Sequence, residues 1–108
     1  MEKEKHKFDL EDRLVDFACM CLDVCELLPN TKSGQNLEYQ LSKSGTAPAL
    51  IYGEAQAAES RADFIHKMKI AANEADETQY WLMLCDYSVH LPDCKLLLEE
   101  LAGIQKML

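Results

Sequence analysis

SRADFIHKMKIAANEADETQYWLMLCDYSV, residues 60–89, places Phe64, Met68, Ala71, Ala75, Thr78, Leu82, Cys85 and Val89 at steps of 4, 3, 4, 3, 4, 3 and 4. Side chains spaced this way line one face of a helix, so the spacing predicts a near-heptad seam of the kind that holds antiparallel bundles together. Ser60 stands three positions before Asp63, the arrangement of a capping box, and marks where the helix starts. A neighbouring stripe adds Ile65, Ala72, Trp81, Leu84 and Ser88. So wide an apolar face exceeds what partners within one small chain need to cover. The surplus (Trp81, Ile65 and Leu84, with Tyr52 from the preceding segment) is expected at an oligomer interface.

The segments on either side supply the partners for this seam. From Asp9 to Leu28 the stripe Leu14, Ala18, Cys21, Leu22, Cys25 and Leu28 predicts a first helix. Asp9, Glu11 and Asp12 favour the positive end of its dipole, and Pro29 ends it. A second helix is expected from about Ser33, carrying Leu37, Tyr39 and Leu41 inward. With Pro48 in its interior, and Gly45 and Gly53 nearby, it is expected to run to about Ala58 kinked or interrupted. Small residues at Ser44, Gly45, Ala47, Ala49, Ala55, Ala57 and Ala58 suit close helix packing. After a turn at His90-Leu-Pro-Asp93, with Asp93 or a neighbour as the cap, Cys94, Leu97, Leu98, Leu101, Ile104 and Leu108 define a fourth helix. No strand pair is legible. The expected fold is all-α, an antiparallel up-down-up-down four-helix bundle in one domain over 1–108, with residues 1–8 a poorly ordered extension.

Composition narrows the function classes. The 108 residues carry 19 acidic and 11 basic side chains, a net charge of −8, with the excess shared evenly between the halves of the chain. An acidic chain does not grip phosphate unaided, and 48% apolar residues are too many for a disordered tail. The alternating charges of residues 1–7 do not form a signal peptide, and no apolar run is long enough for a bilayer. The five cysteines read as reduced thiols acting mostly as small apolar residues, which points to the cytoplasm.

Candidate chemistry is sparse. Bundles host di-iron sites through repeated Glu-x-x-His motifs, which this chain approximates once, as Asp63-Phe-Ile-His66. Cys85, His90 and Cys94 bracket one turn and could offer three zinc ligands, but the fourth ligand and the tight paired spacing are missing. Cys19 points away from the face shared by Cys21 and Cys25. There is no nucleophile elbow and no phosphate-binding glycine loop. Glu74/Glu77 and Glu99/Glu100 read as solvated faces. Neither a cofactor nor a metal is expected. Lys3, Lys5, Lys7, Lys67 and Lys69 are interrupted by acids or apolar residues, so a nucleic-acid patch would need an oligomer to gather them on one rim.

The segments Gln40–Gln56, Asp63–Lys67, Ile70–Ala75 and Glu77–Leu82 together resemble the four-helix bundle proteins of the 23S rRNA intervening-sequence family, over about residues 9–107. The resemblance implies an antiparallel four-helix bundle that assembles as a homopentamer. It implies no catalytic set, and Gln40, Ser44, Tyr52, Glu54, Ala55, Asp63, Phe64, Glu74, Glu77 and Trp81 carry over as structural positions. Relatives commonly place Asn two residues before the position of Gly53, where this chain has Ile51. Relatives that assist diversity-generating reverse transcriptases are strongly basic, which this chain is not. Three functions are in contention: a non-enzymatic homo-oligomeric scaffold, a nucleic-acid accessory protein acting through an oligomer rim, and a metal-dependent bundle enzyme using Asp63 and His66.

Overall fold

Residues 9–108 are described by the structure, a computed structural model, and three of its four helices start on a side-chain oxygen that accepts from the backbone. Asp9 accepts from Glu11 N (2.9 Å) and opens α1, Leu10–Glu26. Thr31 accepts from Gly34 N (3.1 Å) and opens α2, Lys32–Gln56. Ser60 accepts from Asp63 N (3.0 Å) and opens α3, Arg61–Tyr87. These caps satisfy donors that the first helical turn cannot pair internally. α4, Lys95–Gln105, starts after Cys94, whose side chain makes no cap bond. There Asp93 Oδ1 accepts from Lys95 N (2.9 Å), and Asp86 Oδ1, reaching across from α3, accepts from Cys94 N (3.0 Å). Residues 1–8, expected as a poorly ordered extension, lie outside the described residues.

The four helices form an antiparallel bundle in which each packs on its sequence neighbours and α4 closes back on α1. The diagonal helices, α1 with α3 and α2 with α4, keep their backbones apart and meet only through side chains in the core. Leu14, Phe17, Cys21, Leu41, Leu82, Leu101 and Ile104 are fully buried at the centre. A close approach between helices lies midway along α2. A methyl group added at Gly45 of α2 would stand 2.7 Å from Cys21 Sγ and 2.8 Å from Cys21 Cβ of α1, and 3.8 Å from Thr78 Cγ2 of α3. Two helices can lie this close only because one of them has no side chain there.

Several expectations need correction. α2 is not interrupted: it continues as one helix through Pro48 and ends at Gln56, two residues before the expected Ala58. The proline ring is fully buried, so packing offsets the hydrogen bond that its missing N–H withholds from the turn below. α1 stops at Glu26, two residues before Leu28, where Leu27 and Leu28 turn back onto Val24 and Cys25. Within α1, Leu22 is exposed, and Phe17 and Val24 fill the core instead. Tyr39 of α2 points outward, and the lysine Nζ of Lys43 lies 5.9 Å from its ring centre.

The seam on α3 is buried in its middle and open at both ends. Ala71, Ala75, Thr78, Leu82 and Cys85 are in the core. Phe64 and Met68 are covered only in part, because α4 is too short to reach them. Twenty-seven residues make α3 about 40 Å long and eleven make α4 about 17 Å at roughly 1.5 Å per residue. The far end of α4 is fixed on α3 by Gln105, whose amide donates to Asp76 Oδ1 and Gln79 Oε1, both at 3.0 Å. At the other end α3 has finished by Tyr87, leaving Val89 in the turn with 90% of its surface exposed.

The Gly45 contact is directly testable. Gly45→Ala forces α1 and α2 apart and is expected to lower unfolding stability by about 1–3 kcal/mol, although alanine is the better helix former. Gly53→Ala on the same helix meets open space. There the propensity gain stands alone, and urea unfolding should show stability unchanged or raised by up to about 1 kcal/mol.

Candidate functional site

The outward face of α3 is the most conspicuous feature outside the core. Tyr80, Leu84 and Tyr87 occupy i, i+4 and i+7 on the side of the helix opposite Leu82, and they are 67%, 56% and 76% exposed. Ile65 is exposed nearer the start of the same helix. A tyrosine–leucine–tyrosine stripe offers large apolar area with two phenolic groups able to hydrogen-bond at its margin, a composition suited to protein contacts. On α2, Tyr39 and Leu50 are likewise exposed.

The four residues expected at an interface fall into two pairs. Ile65 and Leu84 are exposed, whereas Trp81 and Tyr52 pack partly against the chain's own core. The Trp81 indole N–H also donates to Glu77 Oε2 (3.3 Å), one turn earlier on α3. Tyr80 and Tyr87 were missed in the sequence. Their signal is their spacing around Leu84, hidden by the broad apolar character of the whole segment.

Three of the described basic residues are held in ion pairs. Arg13 lies across Gly103 to reach Glu100 Oε1 (3.2 Å), Lys67 meets Glu54 Oε1 (3.2 Å), and Lys95 lies between Asp86 (3.5 Å) and Asp93 (3.7 Å). Lys3, Lys5 and Lys7 lie outside the described residues.

The residues considered for metal chemistry do not converge. His66 is exposed, and Asp63 is engaged through its backbone N–H at the start of α3. His90 is exposed in the turn, whereas Cys85 and Cys94 are buried beneath it. Among the described residues, no group of three or more His, Cys, Asp or Glu side chains is arranged to hold an ion. No described helix is long and apolar enough to cross a membrane.

Cys21, Cys25, Cys85 and Cys94 are instead part of the core, and all five thiols, exposed Cys19 included, are free. Burial pushes the Cys21 thiol up to about 12, with Cys25 adding to the effect. Burial, with the Glu38 carboxylate contributing, pushes Cys25 up to about 11. The Cys25 thiol donates to the Glu38 carbonyl (3.7 Å), tying α1 to α2. Such thiols stay protonated and behave as small apolar groups.

The sequence profile of the 23S rRNA-intervening sequence protein family matches residues 7–108. A crystal structure of a protein of unknown function from the S23 ribosomal protein family of Bacteroides thetaiotaomicron has a similar fold, with a TM-score of 0.84. The two chains are 31% identical over 92% of this chain and 94% of the other. No curated protein matches. The chain belongs to the 23S rRNA-intervening sequence protein family.

The buried thiols generate a pH prediction. Their folded values lie above the ordinary value of 9.0, so the unfolded chain releases these protons first as pH rises. Their contribution to stability is complete below pH 9 and is lost upward toward pH 11–12. Across that window each thiol held neutral should cost about 1.4 kcal/mol per pH unit. Urea unfolding from pH 8 to 11 should show this decline, and it should be shallower in Cys21→Ala; parallel slopes would contradict the assignment.

Proposed function

We propose that this member of the 23S rRNA-intervening sequence protein family is a non-enzymatic, cytoplasmic scaffold that works as a homo-oligomer, with five copies as the expected number. The observation that carries the reading is the Tyr80–Leu84–Tyr87 stripe: three large side chains on one outward face, none of them needed by the monomer's core. Leaving such a surface in water forgoes about 25 cal/mol for every Å² of apolar area that a partner would cover. A second copy of the chain is always available to cover it, and symmetric self-association is the commonest solution among soluble proteins.

Charge shapes what the assembly can hold. Five copies at −8 each carry −40, and such a particle repels nucleic acid at long range unless a basic partner intervenes. The three ion-paired basic residues described above add nothing to an RNA-binding rim, because their charge is already compensated. The cargo that suits this surface is therefore a protein. An acidic exterior also keeps assembled particles apart and in solution.

Size-exclusion chromatography with light scattering at micromolar concentration tests the reading. The wild type should elute at about five times its 12.3 kDa mass, and Leu84→Glu, which buries a charge in the interface, should elute as a folded monomer with unchanged helical circular dichroism. Leu84 is preferred over Trp81 because Trp81 also packs on the monomer's core. A monomeric wild type would overturn the proposal. An unchanged Leu84→Glu particle would move the interface off this face, and RNA retained at low salt and released steeply by added salt would favour the nucleic-acid role.

A further inference from the structure

Outside the core, α1 carries an exposed stripe of its own. Val15, Cys19 and Leu22 stand at i, i+4 and i+7, and Leu27 follows at the end of the helix. Val15 and Leu22 are 48% and 45% exposed, and Leu27 is 69% exposed. Carboxylates border the stripe at Glu11, Asp12, Asp23 and Glu26, and the one basic residue of α1, Arg13, is held by Glu100. α1 and α3 are diagonal in the bundle, so this stripe and the outward face of α3 lie on different sides of the molecule.

We infer that the α1 stripe is the other half of the contact between copies: the outward face of α3 in one copy docks on the Val15–Cys19–Leu22 face of α1 in the next. The inference rests on the five-copy reading above. An odd-numbered ring cannot be closed by a patch that pairs with itself, because self-complementary contacts join copies two by two. Each copy must therefore present two different surfaces, one to each neighbour, and these two helices provide them.

The heights of the two faces agree. Inside one chain, Cys21 of α1 and Thr78 of α3 flank the same point, Gly45, and the two helices run in the same direction. Counting along both from that level sets Val15 at the height of Ala72, Leu22 at that of Gln79 and Tyr80, and Leu27 at that of Leu84. Copies related by rotation about an axis along the bundle meet at equal height, so apolar side chains face one another. At the height of Cys19 stands Asp76, whose carboxylate accepts from Gln105 of its own chain, so a thiol and not a carboxylate faces it.

The charges agree as well. The same count sets Glu11 and Asp12 level with Met68 and Lys69, where α3 is basic. Arg61 and Lys69 are exposed there, and among the described residues Lys67 alone of the α3 Lys and Arg side chains is ion-paired. Opposite charges at that end fix the register of a contact whose affinity comes from apolar area.

Native mass spectrometry tests this with two variants that each lose one face. Leu22→Glu spoils the α1 stripe and Leu84→Glu the α3 face; both residues are exposed in the single chain, so each variant should keep its helical circular dichroism. Each alone is expected as single chains. Mixed in equal amounts, with one isotopically labelled, they should form a particle of one chain of each, joined by the two faces left intact and stopped by the two lost. As a second measurement, Glu11→Lys and Lys69→Glu should each shift the wild-type assembly toward single chains, and both together in one chain should restore it. A wild type of single chains would overturn the five-copy reading and this contact with it. An assembled wild type whose Leu22→Glu variant is equally assembled would overturn this contact alone, as would variants that never combine or a charge exchange without recovery.

Discussion

The bundle turns on the absence of a side chain at Gly45. That gap lets the Cys21 thiol of α1 sit against the backbone of α2, with Thr78 of α3 at the back of the same contact. Three helices meet there, and each neighbour is chosen for smallness. Cys21 and Thr78 are fully buried, and Thr78 spends its hydroxyl on the Glu74 carbonyl one turn back (2.7 Å). Ser44, beside Gly45, is equally buried, and its hydroxyl has no partner among the described residues. One unsatisfied hydroxyl typically costs about 1–3 kcal/mol, so the close approach is held against a local penalty. Pro48, one turn further on, is carried in the same way, by the burial of its ring.

Helix lengths determine what remains uncovered. α2 and α3 form a long hairpin, whereas α4 is less than half as long as α3. The seam of α3 is consequently sealed only where α4 reaches it, and Phe64 and Met68 extend past the end fixed by Gln105. The Tyr80–Leu84–Tyr87 stripe differs in kind. It faces away from the bundle, so no lengthening of α4 would cover it. The buried face of α3 is mostly small residues, Ala71, Ala75, Thr78 and Cys85 around Leu82, while Ile65, Ile70, Tyr80, Leu84 and Tyr87 stand outside among charged residues, so the helix has almost no hydrophobic asymmetry.

That symmetry also explains which parts of the structure are legible in the sequence. The Ser60 start of α3, the buried run from Ala71 to Cys85 and the small residues beside Gly45 follow from spacing and caps alone. The resemblance carried by Gln40–Gln56 and the α3 segments leads to the family that the profile and the Bacteroides structure identify. Other features require the third dimension. Phe17 and Val24 displace Leu22 from the core because the buried stripe of α1 is set by where α2 and α4 lie against it, and spacing alone admits either set. The unbroken α2 depends on a pocket for Pro48 that local sequence does not specify. Tyr80 and Tyr87 cannot be told from core residues when large apolar side chains stand on both sides of the segment, and the start of α4 depends on Asp86 reaching across from α3 to the Cys94 N–H.

The distinctive features of the described residues are free thiols inside the core and apolar area outside it. The central claim is that the outward apolar face is covered by copies of the same chain. Native mass spectrometry from a neutral volatile buffer counts the subunits directly. The account predicts a particle of five chains, each of 12.3 kDa, with no substantial monomer at micromolar concentration. A spectrum dominated by the single chain would contradict it.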